Sequence, residues 1–469
     1  MSMSEEEKSS LLPADLLRRM DVPGPRYTSY PTADRFVESF GPADYRQALR
    51  ERAGGLRVGG VTPLSVYVHV PFCESVCYYC ACNKVVTRHR ARAASYLECL
   101  AREIAMHVAE LGPGQEVSQL HFGGGTPTFL HDGELAQLML ELRRAFRLLP
   151  SAEISIEIDP RTVSADRLRI LAGLGFNRVS FGVQDFDPAV QRAIHRIQPQ
   201  EGVRDLVHAA RSIGFQSLNV DLIYGLPCQT ADSFARTVGQ VAALRPERIA
   251  LYAYAHLPAR FKPQRRIADH DLPDGEARLK MLSQALSGFM AQGYSYIGMD
   301  HFALPSDRLA VARRQGRLHR NFQGYSTQPD CDLVALGVSA IGRMGACYAQ
   351  NAKTVEDYEA AIRSGRFATQ RGLRASREDL LRRAVIMALM CQGRVEFDDV
   401  DAAHLVDTRS HFAAELDSLA PFQSEGLVEV DDRSIRVTPL GWFFVRGVAM
   451  VFDRHLRTDL DRARFSRII

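Results

Sequence analysis

The sequence predicts an α/β protein: a parallel sheet covered by helices, with an irregular N-terminal arm and a mainly helical, winged-helix-like C-terminal domain. Two observations carry this prediction. Six short apolar segments alternate with helical patterns. Each apolar segment is followed by a glycine-rich or polar stretch, where a parallel sheet presents its functional edge. We divide the chain into an arm (residues 1–46), a β/α domain (47–375) and a lid or packing domain (376–469).

The N-terminal arm reads as irregular. Residues 21–36 hold three prolines, one glycine and two tyrosines, a composition typical of an ordered loop. The arm lies outside the β/α alternation and carries Arg26. We therefore expect it to act in catalysis rather than in folding.

The six candidate strands are rich in β-branched or apolar residues and bounded by Gly, Pro or Asp. They are Ser65–Val70, Gln119–Phe122, Ile154–Ile158, Arg178–Val183, Leu218–Ile223 and Arg248–Tyr252. Between them, apolar residues recur at helical spacing in Ala93–Leu111, from Leu135 to Phe146 and from Val203 to Ile213. Right-handed crossovers curl such a unit into an open sheet or a barrel.

The segments that follow the strands hold the unusual chemistry. Strands one and two lead to PFCESVCYYCAC and GGGTPTF, and strands three to six lead to DPRTV, GVQDF, YGLPCQT and YAHLP. The carboxyl ends of parallel strands share one edge of the sheet. We therefore expect these segments to form one functional rim.

The character of the chain changes after about residue 375. Helical patterns run from Arg377 to Cys391 and from Phe412 to Leu419, and a helix is predicted from Trp442 to His455. Between the last two, GLVEVDDRSIRVTPLG reads as two short strands around a polar turn. This order resembles a winged-helix unit. Because it carries no Lys/Arg stripe, we expect it to pack against the rest of the protein rather than to bind nucleic acid.

The composition of the 469-residue chain excludes several classes of protein. Apolar residues make up 46% and charged residues 24%, as in ordinary globular proteins. No apolar run is long enough to span a membrane, and the first residues do not form a secretory signal. We therefore expect a cytoplasmic protein. The net charge of +3 is too small to indicate nucleic acid or an anionic membrane.

Four of the nine cysteines lie within ten residues: Cys73, Cys77, Cys80 and Cys82. Three interpretations are open: structural thiols, a zinc knuckle that uses all four thiolates, or an iron–sulfur cluster. All-thiolate zinc sites usually come as two separated CxxC pairs. Thiolates suit iron–sulfur centres, so the cluster is favoured. If only three cysteines are ligands, one iron keeps a position for a small molecule.

The CxxxCxxC spacing, with the aromatic Tyr79 before its last cysteine, resembles the signature of the radical S-adenosylmethionine (SAM) superfamily. Residues 123–127, GGGTP, resemble that superfamily's glycine-rich methionine-binding loop. Glycines allow a close backbone approach, and free N–H groups can hold a carboxylate. The resemblance implies a partial (β/α)6, TIM-like radical SAM barrel as the catalytic domain.

Over most of its length the chain resembles the oxygen-independent coproporphyrinogen III oxidase family. The stretches that carry this resemblance span residues 24 to about 352, and FDRHL and FSRII near the end also fit. They are GPRYTSYPTA, YVHVPFCESVCYYCACNKVVTR, SQLHFGGGTPTFL, AEISIEIDPRTV, GFNRVSFGVQDFDPAVQRAIHR, NVDLIYGLPCQT, YAHLP, GMDHFALPSD, LHRNFQGYSTQ and LGVSAIGRMGACYAQN. A related branch of haem-binding chaperones shares the barrel motifs but lacks the arm, the extra cysteine and HRNFQGY.

The family resemblance implies a radical SAM oxidoreductase of porphyrin and haem biosynthesis. Two propionates of coproporphyrinogen III become vinyl groups without O2, which gives protoporphyrinogen IX and two CO2. No side-chain base can remove hydrogen from an unactivated propionate carbon. The cofactor radical must therefore perform this step, and no catalytic side chain is predicted beyond it. A haem-binding chaperone and a nucleic-acid-modifying radical enzyme are the alternative functions.

The resemblance also implies the ligands of one [4Fe–4S] cluster and of two SAM molecules. The cluster ligands are Cys73, Cys77 and Cys80, and Cys82 is a non-ligand. The first SAM is expected to meet Tyr67, Gly124, Glu157 and Ile341. The second is expected to meet Tyr79, Gly125, Thr126, Gln184, Arg196, Asp221 and Ala255. Glu157 and Asp221 can accept hydrogen bonds from SAM, and Arg196 can clamp its carboxylate.

The implied partners follow from the same chemistry. Coproporphyrinogen III carries four carboxylates, so basic side chains are expected in its pocket, with Arg26, Arg260 and Arg320 as candidates. An unidentified reductant protein and an electron acceptor are also needed. No nucleic acid and no membrane span are expected, and the protein is expected to be a monomer.

Overall fold

The computed structural model of the protein describes residues 13–20, 22–55 and 62–456. The FSRII stretch lies outside these ranges. The element order is β/α through the middle of the chain, and a small second sheet follows near the end. This is the predicted α/β class with a mainly helical C-terminal region.

All six predicted strands are present, and they are neighbours in one parallel sheet in chain order. We number them β1 to β6: Leu64–Val70, Gln115–Gly124, Phe146–Ile158, Arg178–Gln184, Ser217–Tyr224 and Arg248–Ala253. The third strand starts earlier than predicted. Phe146 ends the preceding helix, where its N–H bonds Leu142, and it is also the first residue of β3.

The sheet extends beyond the six strands at both edges. At the β1 edge, Leu333–Leu336 adds in parallel, and three antiparallel strands follow: Ile341–Met344, Cys347–Asn351 and Thr369–Arg374. At the β6 edge, the antiparallel strands His301–Ala303 and Ser295–Gly298 add. These additions were not predicted. Among the described residues the two outermost strands do not pair, so the sheet is an open, partial barrel.

Helices cover the outside of the sheet. The main ones are Ala91–Leu111, Asp132–Ala145, Ala165–Gly173, Pro188–Ala193, Gln200–Ile213, Ala231–Leu244, Gly275–Ala291, Arg308–Arg314 and Val355–Arg363. The three predicted helical patterns lie in the first, second and fifth of them. Their apolar faces pack on one continuous core with the strands, which is the layered arrangement expected of alternating β/α units. The described residues include no helix that is long and apolar enough to span a membrane.

The arm differs from the prediction of an irregular segment. It contains the helix Ala14–Met20, and the helix Pro42–Gly54 crosses the proposed boundary at residue 46. The side chains of Tyr27 and Tyr30 are fully buried in the main core. The Tyr27 hydroxyl donates to Asp453 at 3.0 Å. The arm therefore packs into the core and contacts the C-terminal region, so it also contributes to the fold. Its expected role in catalysis stays a prediction.

We predict that Tyr27→Ala lowers the free energy of unfolding by about 3–5 kcal/mol, the usual cost of removing a buried aromatic ring. Denaturant titration measures this. Val22→Ala is the matched control in the same arm, because Val22 is 42% exposed and should change stability by less than about 0.5 kcal/mol. An unchanged midpoint in Tyr27→Ala would contradict a structural role for the arm.

The C-terminal region is a small sheet among short helices. Its strands are Arg394–Glu396, Ser434–Val437 and Val428–Val430, with Ser434–Val437 in the centre. Its helices are Arg377–Gln392, Phe397–His404, Thr408–His411, Ala413–Asp417, Ala420–Ser424 and Val445–Met450. The hairpin and the first helix match the prediction. The predicted helix from Trp442 to His455 is shorter, because a 3-10 turn, Gly441–Phe444, precedes it and the helix ends at Met450.

Candidate active site

The inner faces of five barrel strands are polar and surround one cavity. Along each strand every second residue points inward. These residues include Gln119 and His121; Glu153, Ser155 and Glu157; Arg178, Ser180 and Gln184; Ser217, Asn219 and Asp221; and Arg248 and Tyr252. The cavity has a volume of about 400 Å³. A polar interior of this kind indicates a ligand site rather than a packed core.

The cysteine loop closes the carboxyl end of the cavity. It leaves β1 through a short strand, Phe72–Cys73, which pairs with Val85–Val86. Cys73, Cys77, Cys80 and Cys82 all line the cavity, and none forms a disulfide. The predicted cysteines are therefore brought together at the predicted rim.

Two arginines place positive charge beside the Cys77 sulfur. Arg196 Nη1 lies 3.5 Å and Arg161 Nη2 lies 3.6 Å from Cys77 Sγ. Asp159 holds both guanidiniums: it accepts from Arg161 Nη2 at 2.6 Å and from Arg196 Nη1 at 3.2 Å. Burial raises the pKa of Asp159, but the hydrogen bonds and charges of the two arginines outweigh burial and leave it below its usual value. Asp159 therefore holds two guanidinium groups beside one sulfur of the cysteine loop.

The other thiols differ from one another. The hydrogen bond with Cys82 lowers the pKa of Cys80 to about 5, and burial opposes this less strongly. Burial raises the pKa of Cys73 to about 11, although Thr126 Oγ1 lies 3.5 Å from its sulfur. The same pairing with Cys80 raises the pKa of Cys82.

The glycine-rich loop lies against the cysteine loop. The N–H groups of Gly125 and Thr126 donate to Val70 and Phe72 at 2.8 Å, and that of Gly124 donates to Glu157 at 3.2 Å. The expectation that these three N–H groups are free to hold a carboxylate is therefore wrong. They fasten the loop to β1, to the short strand Phe72–Cys73 and to β3 instead.

We predict that Gly125→Ala destabilises this junction. An added Cβ would lie 2.7 Å from the backbone of Pro71 and Phe72, and backbone atoms cannot move aside cheaply, so about 1–3 kcal/mol is expected. Thermal unfolding measures the loss. Gly202→Ala is the control, because it lies in the helix Gln200–Ile213 with nothing within 4 Å of the new Cβ. Equal unfolding temperatures in the two variants would contradict the close approach.

Glu157 and Tyr67 lie on neighbouring inner faces. Glu157 accepts from His121 Nε2 at 3.2 Å, and the ring of His121 stacks on that of Tyr67 with 5.9 Å between centroids. Gly123 leaves room for the carboxylate, since a Cβ there would lie 2.9 Å from it. These contacts place Glu157, Gly124 and Tyr67, three of the residues predicted to bind the first SAM, side by side.

Gln184, Arg196 and Asp221 also converge. The register between β4 and β5 shifts after Gly182, and Gln184 adopts a φ of 69°, so a bulge re-aims its side chain. A Cβ on Gly182 would lie 2.9 Å from Gln184 Nε2 and 3.0 Å from Arg196 Nη2. Asp221 is the register partner of Gly182.

The side chain of Asp221 is half-buried. Its carboxylate accepts from Ser180 at 2.9 Å and from Asn219 at 2.8 Å. Burial raises its pKa to about 6, and the charge of Glu157 adds to the rise. Near neutral pH the carboxylate is still mostly ionised, so it can accept hydrogen bonds from a ligand.

Three predicted residues do not line the cavity. Tyr67 lies behind His121. Ala255 is exposed, and its carbonyl accepts from Gln264, which also bonds the Tyr79 carbonyl. Ile341 pairs with Gln350 in the added edge of the sheet.

The three arginines proposed for the substrate also lie elsewhere. Arg26 forms an ion pair with Asp300, Arg320 Nε donates to the Arg26 carbonyl at 3.2 Å, and Arg260 is exposed. None of them lines the main cavity. The basic residues that do so, besides those near the cysteines, are Arg178 and Arg248. Sequence reasoning missed these two, although alternating polar residues in RVSFGVQ and RIALYA signalled an inward polar face.

The residues fit an iron–sulfur cluster with SAM. Four free thiols face one cavity with cationic neighbours, and Arg196 Nε, which also borders it, has no hydrogen-bond partner among the described residues. The described part of the chain has no group of three His, Cys, Asp or Glu side chains placed to bind a single metal ion.

The fold and the cysteine loop define a radical SAM enzyme. The radical SAM superfamily model matches residues 67–241, and the model of the HemN C-terminal domain matches residues 375–444. The second match begins at residue 375 and ends at residue 444. It does not test the division of the chain into three parts, which stays a proposal.

Comparison with individual proteins gives the family. The chain is 51% identical over 460 residues to the oxygen-independent coproporphyrinogen III oxidase of Pseudomonas aeruginosa, covering 97% of this chain and 98% of that protein. It is 46% identical over 454 residues to that of Escherichia coli, with coverages of 97% and 98%. The solved structure of Escherichia coli coproporphyrinogen III oxidase, described as a radical SAM enzyme, matches with a TM-score of 0.89 at 45% identity and covers 96% of this chain and 100% of that chain.

The chain belongs to the oxygen-independent coproporphyrinogen III oxidase family. The predicted family, barrel class, activity and cofactors are confirmed. The haem-binding chaperone and the nucleic-acid-modifying enzyme are therefore set aside.

Proposed function

We propose that the cavity of this chain carries out the oxidative decarboxylation of two propionates of coproporphyrinogen III, which yields protoporphyrinogen IX. The observation that supports this most directly is a set of free thiols facing a polar barrel interior in a chain of this family. When bound, the cluster and SAM supply a radical able to remove a hydrogen atom from an unactivated carbon.

We propose Cys73, Cys77 and Cys80 as the cluster ligands and Cys82 as a non-ligand. Arg161 and Arg196 support this role by keeping positive charge within 3.6 Å of the Cys77 sulfur. The mutual hydrogen bond lowers the pKa of Cys80 and raises that of Cys82, but burial also raises the pKa of Cys73. The division therefore rests on the CxxxCxxC spacing.

We assign the proposed SAM-binding residues to two groups, one for each SAM molecule. Tyr67, Gly124, Glu157 and Ile341 are assigned to the first SAM; the contacts among the first three support this, whereas Ile341 lies apart. The second SAM is assigned to Tyr79, Gly125, Thr126, Gln184, Arg196, Asp221 and Ala255. The convergence of Gln184, Arg196 and Asp221 around Gly182 supports that assignment.

The chain's own residues would bind and orient SAM and the substrate and exclude water from the cavity. Glu157 and Asp221 accept hydrogen bonds, Arg196 offers a cationic donor, and the glycine loop fixes the distance between the cysteine loop and β2. Three further points remain predictions. They are the need for a reductant protein and an electron acceptor, a location in the cytoplasm, and a monomeric state.

An anaerobic assay with coproporphyrinogen III, SAM and a chemical reductant tests the proposed function. We expect two CO2 per substrate and protoporphyrinogen IX as product, with no product when SAM is omitted. Stable retention of haem without any turnover would contradict the proposal.

A further inference from the structure

The floor of the cavity, opposite the cysteine loop, is lined by two inward-pointing arginines. Arg178 begins β4 and Arg248 begins β6. Each has one acidic partner: Arg178 Nη2 lies 3.0 Å from Glu153, and Arg248 Nε lies 2.8 Å from Asp307. Arg178 Nε and Nη1 and Arg248 Nη2 are buried and have no hydrogen-bond partner among the described residues.

Unpartnered groups from other segments face the same floor. Gln323 lies in the turn between the strands His319–Asn321 and Gly324–Ser326, and neither its Nε2 nor its Oε1 has a partner within the described residues. His301 Nδ1, at the start of the strand His301–Ala303, is also buried without a hydrogen-bond partner among the described residues. Both residues line the cavity with the two arginines. We call Arg178, Arg248, His301 and Gln323 the floor site.

The carboxylates near the floor site do not satisfy these donors. Glu153 also accepts from the Thr327 hydroxyl at 2.6 Å, and Asp307 accepts from the Ser217 hydroxyl at 3.1 Å and the Leu309 N–H at 2.7 Å. Donors are therefore in surplus, and a buried donor without an acceptor is costly. Burial, followed by the charge of Arg248, lowers the pKa of Arg178 to about 10, as expected for a guanidinium that lacks sufficient negative charge.

We propose that the floor site binds a carboxylate of the porphyrinogen substrate, namely a propionate that does not react. The inference rests on the proposed function, whose substrate carries four carboxylates. Guanidinium N–H groups make strong charge-assisted hydrogen bonds to carboxylates, and the Gln323 amide adds a neutral donor. Along β4, Gln184 of the second SAM group lies six residue steps, or about 20 Å, from Arg178. Glu157 and Asp221 lie nearer to the floor, beside Ser180. The floor site therefore anchors the substrate far from the cluster end.

Gln323→Leu is the sharpest test, because the amide it removes has no internal partner. We expect the unfolding temperature to stay the same or rise. We expect the Kd of the cluster-loaded, SAM-bound protein for coproporphyrinogen III to rise about 10-fold, or 1.4 kcal/mol. Anaerobic equilibrium titration without reductant measures the Kd, so that no turnover intervenes.

A second variant removes the charge without leaving a lone buried carboxylate. Arg178→Met combined with Glu153→Gln should raise the Kd for coproporphyrinogen III about 100-fold and leave SAM affinity unchanged. The control is Arg204→Met, an exposed arginine of the helix Gln200–Ile213. Protoporphyrinogen IX, which keeps two propionates, should lose affinity to the same degree.

The outcomes separate this inference from the proposed function. Substrate affinities within twofold of wild type in both folded variants would show that the floor holds only water, and would overturn the inference. Weakened substrate binding with unaffected product binding would also overturn it, because the anchored carboxylate would then be one that reacts. A wild-type protein that neither binds nor converts coproporphyrinogen III would instead contradict the proposed function itself.

Discussion

Cys80→Ser abolishes the iron–sulfur cluster and all decarboxylation. The wild-type protein, purified anaerobically, is expected to carry about four irons per chain, the content of one [4Fe–4S] cluster. Serine offers a harder and far less acidic ligand than a thiolate, and the hydrogen bond with Cys82 lowers the pKa of Cys80 to about 5. Iron content and the visible absorption of the anaerobic protein measure the loss. Cys73→Ser and Cys77→Ser should behave in the same way.

Cys82→Ser is the matched control, two residues away and facing the same cavity. Because Cys82 lies outside the CxxxCxxC spacing, serine there should keep the iron content close to four per chain, the content of one [4Fe–4S] cluster. Full cluster occupancy in Cys80→Ser would refute the ligand assignment. Loss of iron in Cys82→Ser would show that the division among the four thiols is wrong.

The barrel strands and the position of the rim could be predicted from the sequence because both depend on local residue patterns. β4 and β5 alternate apolar and polar residues between turn residues, and the cysteine spacing is itself a ligand pattern. The antiparallel strands at both edges were missed because each has only three to six residues, too few to show a clear alternating pattern. Their existence depends on tertiary pairing, which short segments do not encode locally.

Side-chain partners within the site could not be read from the sequence. The bulge that turns Gln184 inward depends on a register shift against β5. The hydrogen bonds of the glycine loop depend on its distance from Val70 and Phe72. The buried tyrosines of the arm looked like loop residues because their packing partners, such as Asp453, lie more than 400 positions away.

The other large effect is expected from a substitution in the proposed second SAM site. Gln184, Arg196 and Asp221 meet around Gly182, whereas a cluster with three cysteine ligands has one open iron and so binds one SAM. Arg196 is 6% exposed and borders the cavity, and its Nε has no partner among the described residues. A ligand carboxylate would supply that acceptor, so we expect two SAM molecules per protein and two consumed per substrate.

Arg196→Leu should therefore keep the cluster and the first SAM but weaken the second about 100-fold, or 2.8 kcal/mol in binding free energy, and stop full conversion to protoporphyrinogen IX. Anaerobic equilibrium dialysis with labelled SAM counts the sites. Arg161→Leu is the control, because Arg161 contacts the same Cys77 sulfur and Asp159 carboxylate but is not assigned to SAM. If Arg161→Leu lost the second SAM equally, the effect would come from Asp159 and Cys77 rather than from a direct contact. A wild-type stoichiometry of one, or full activity in Arg196→Leu, would remove the second site.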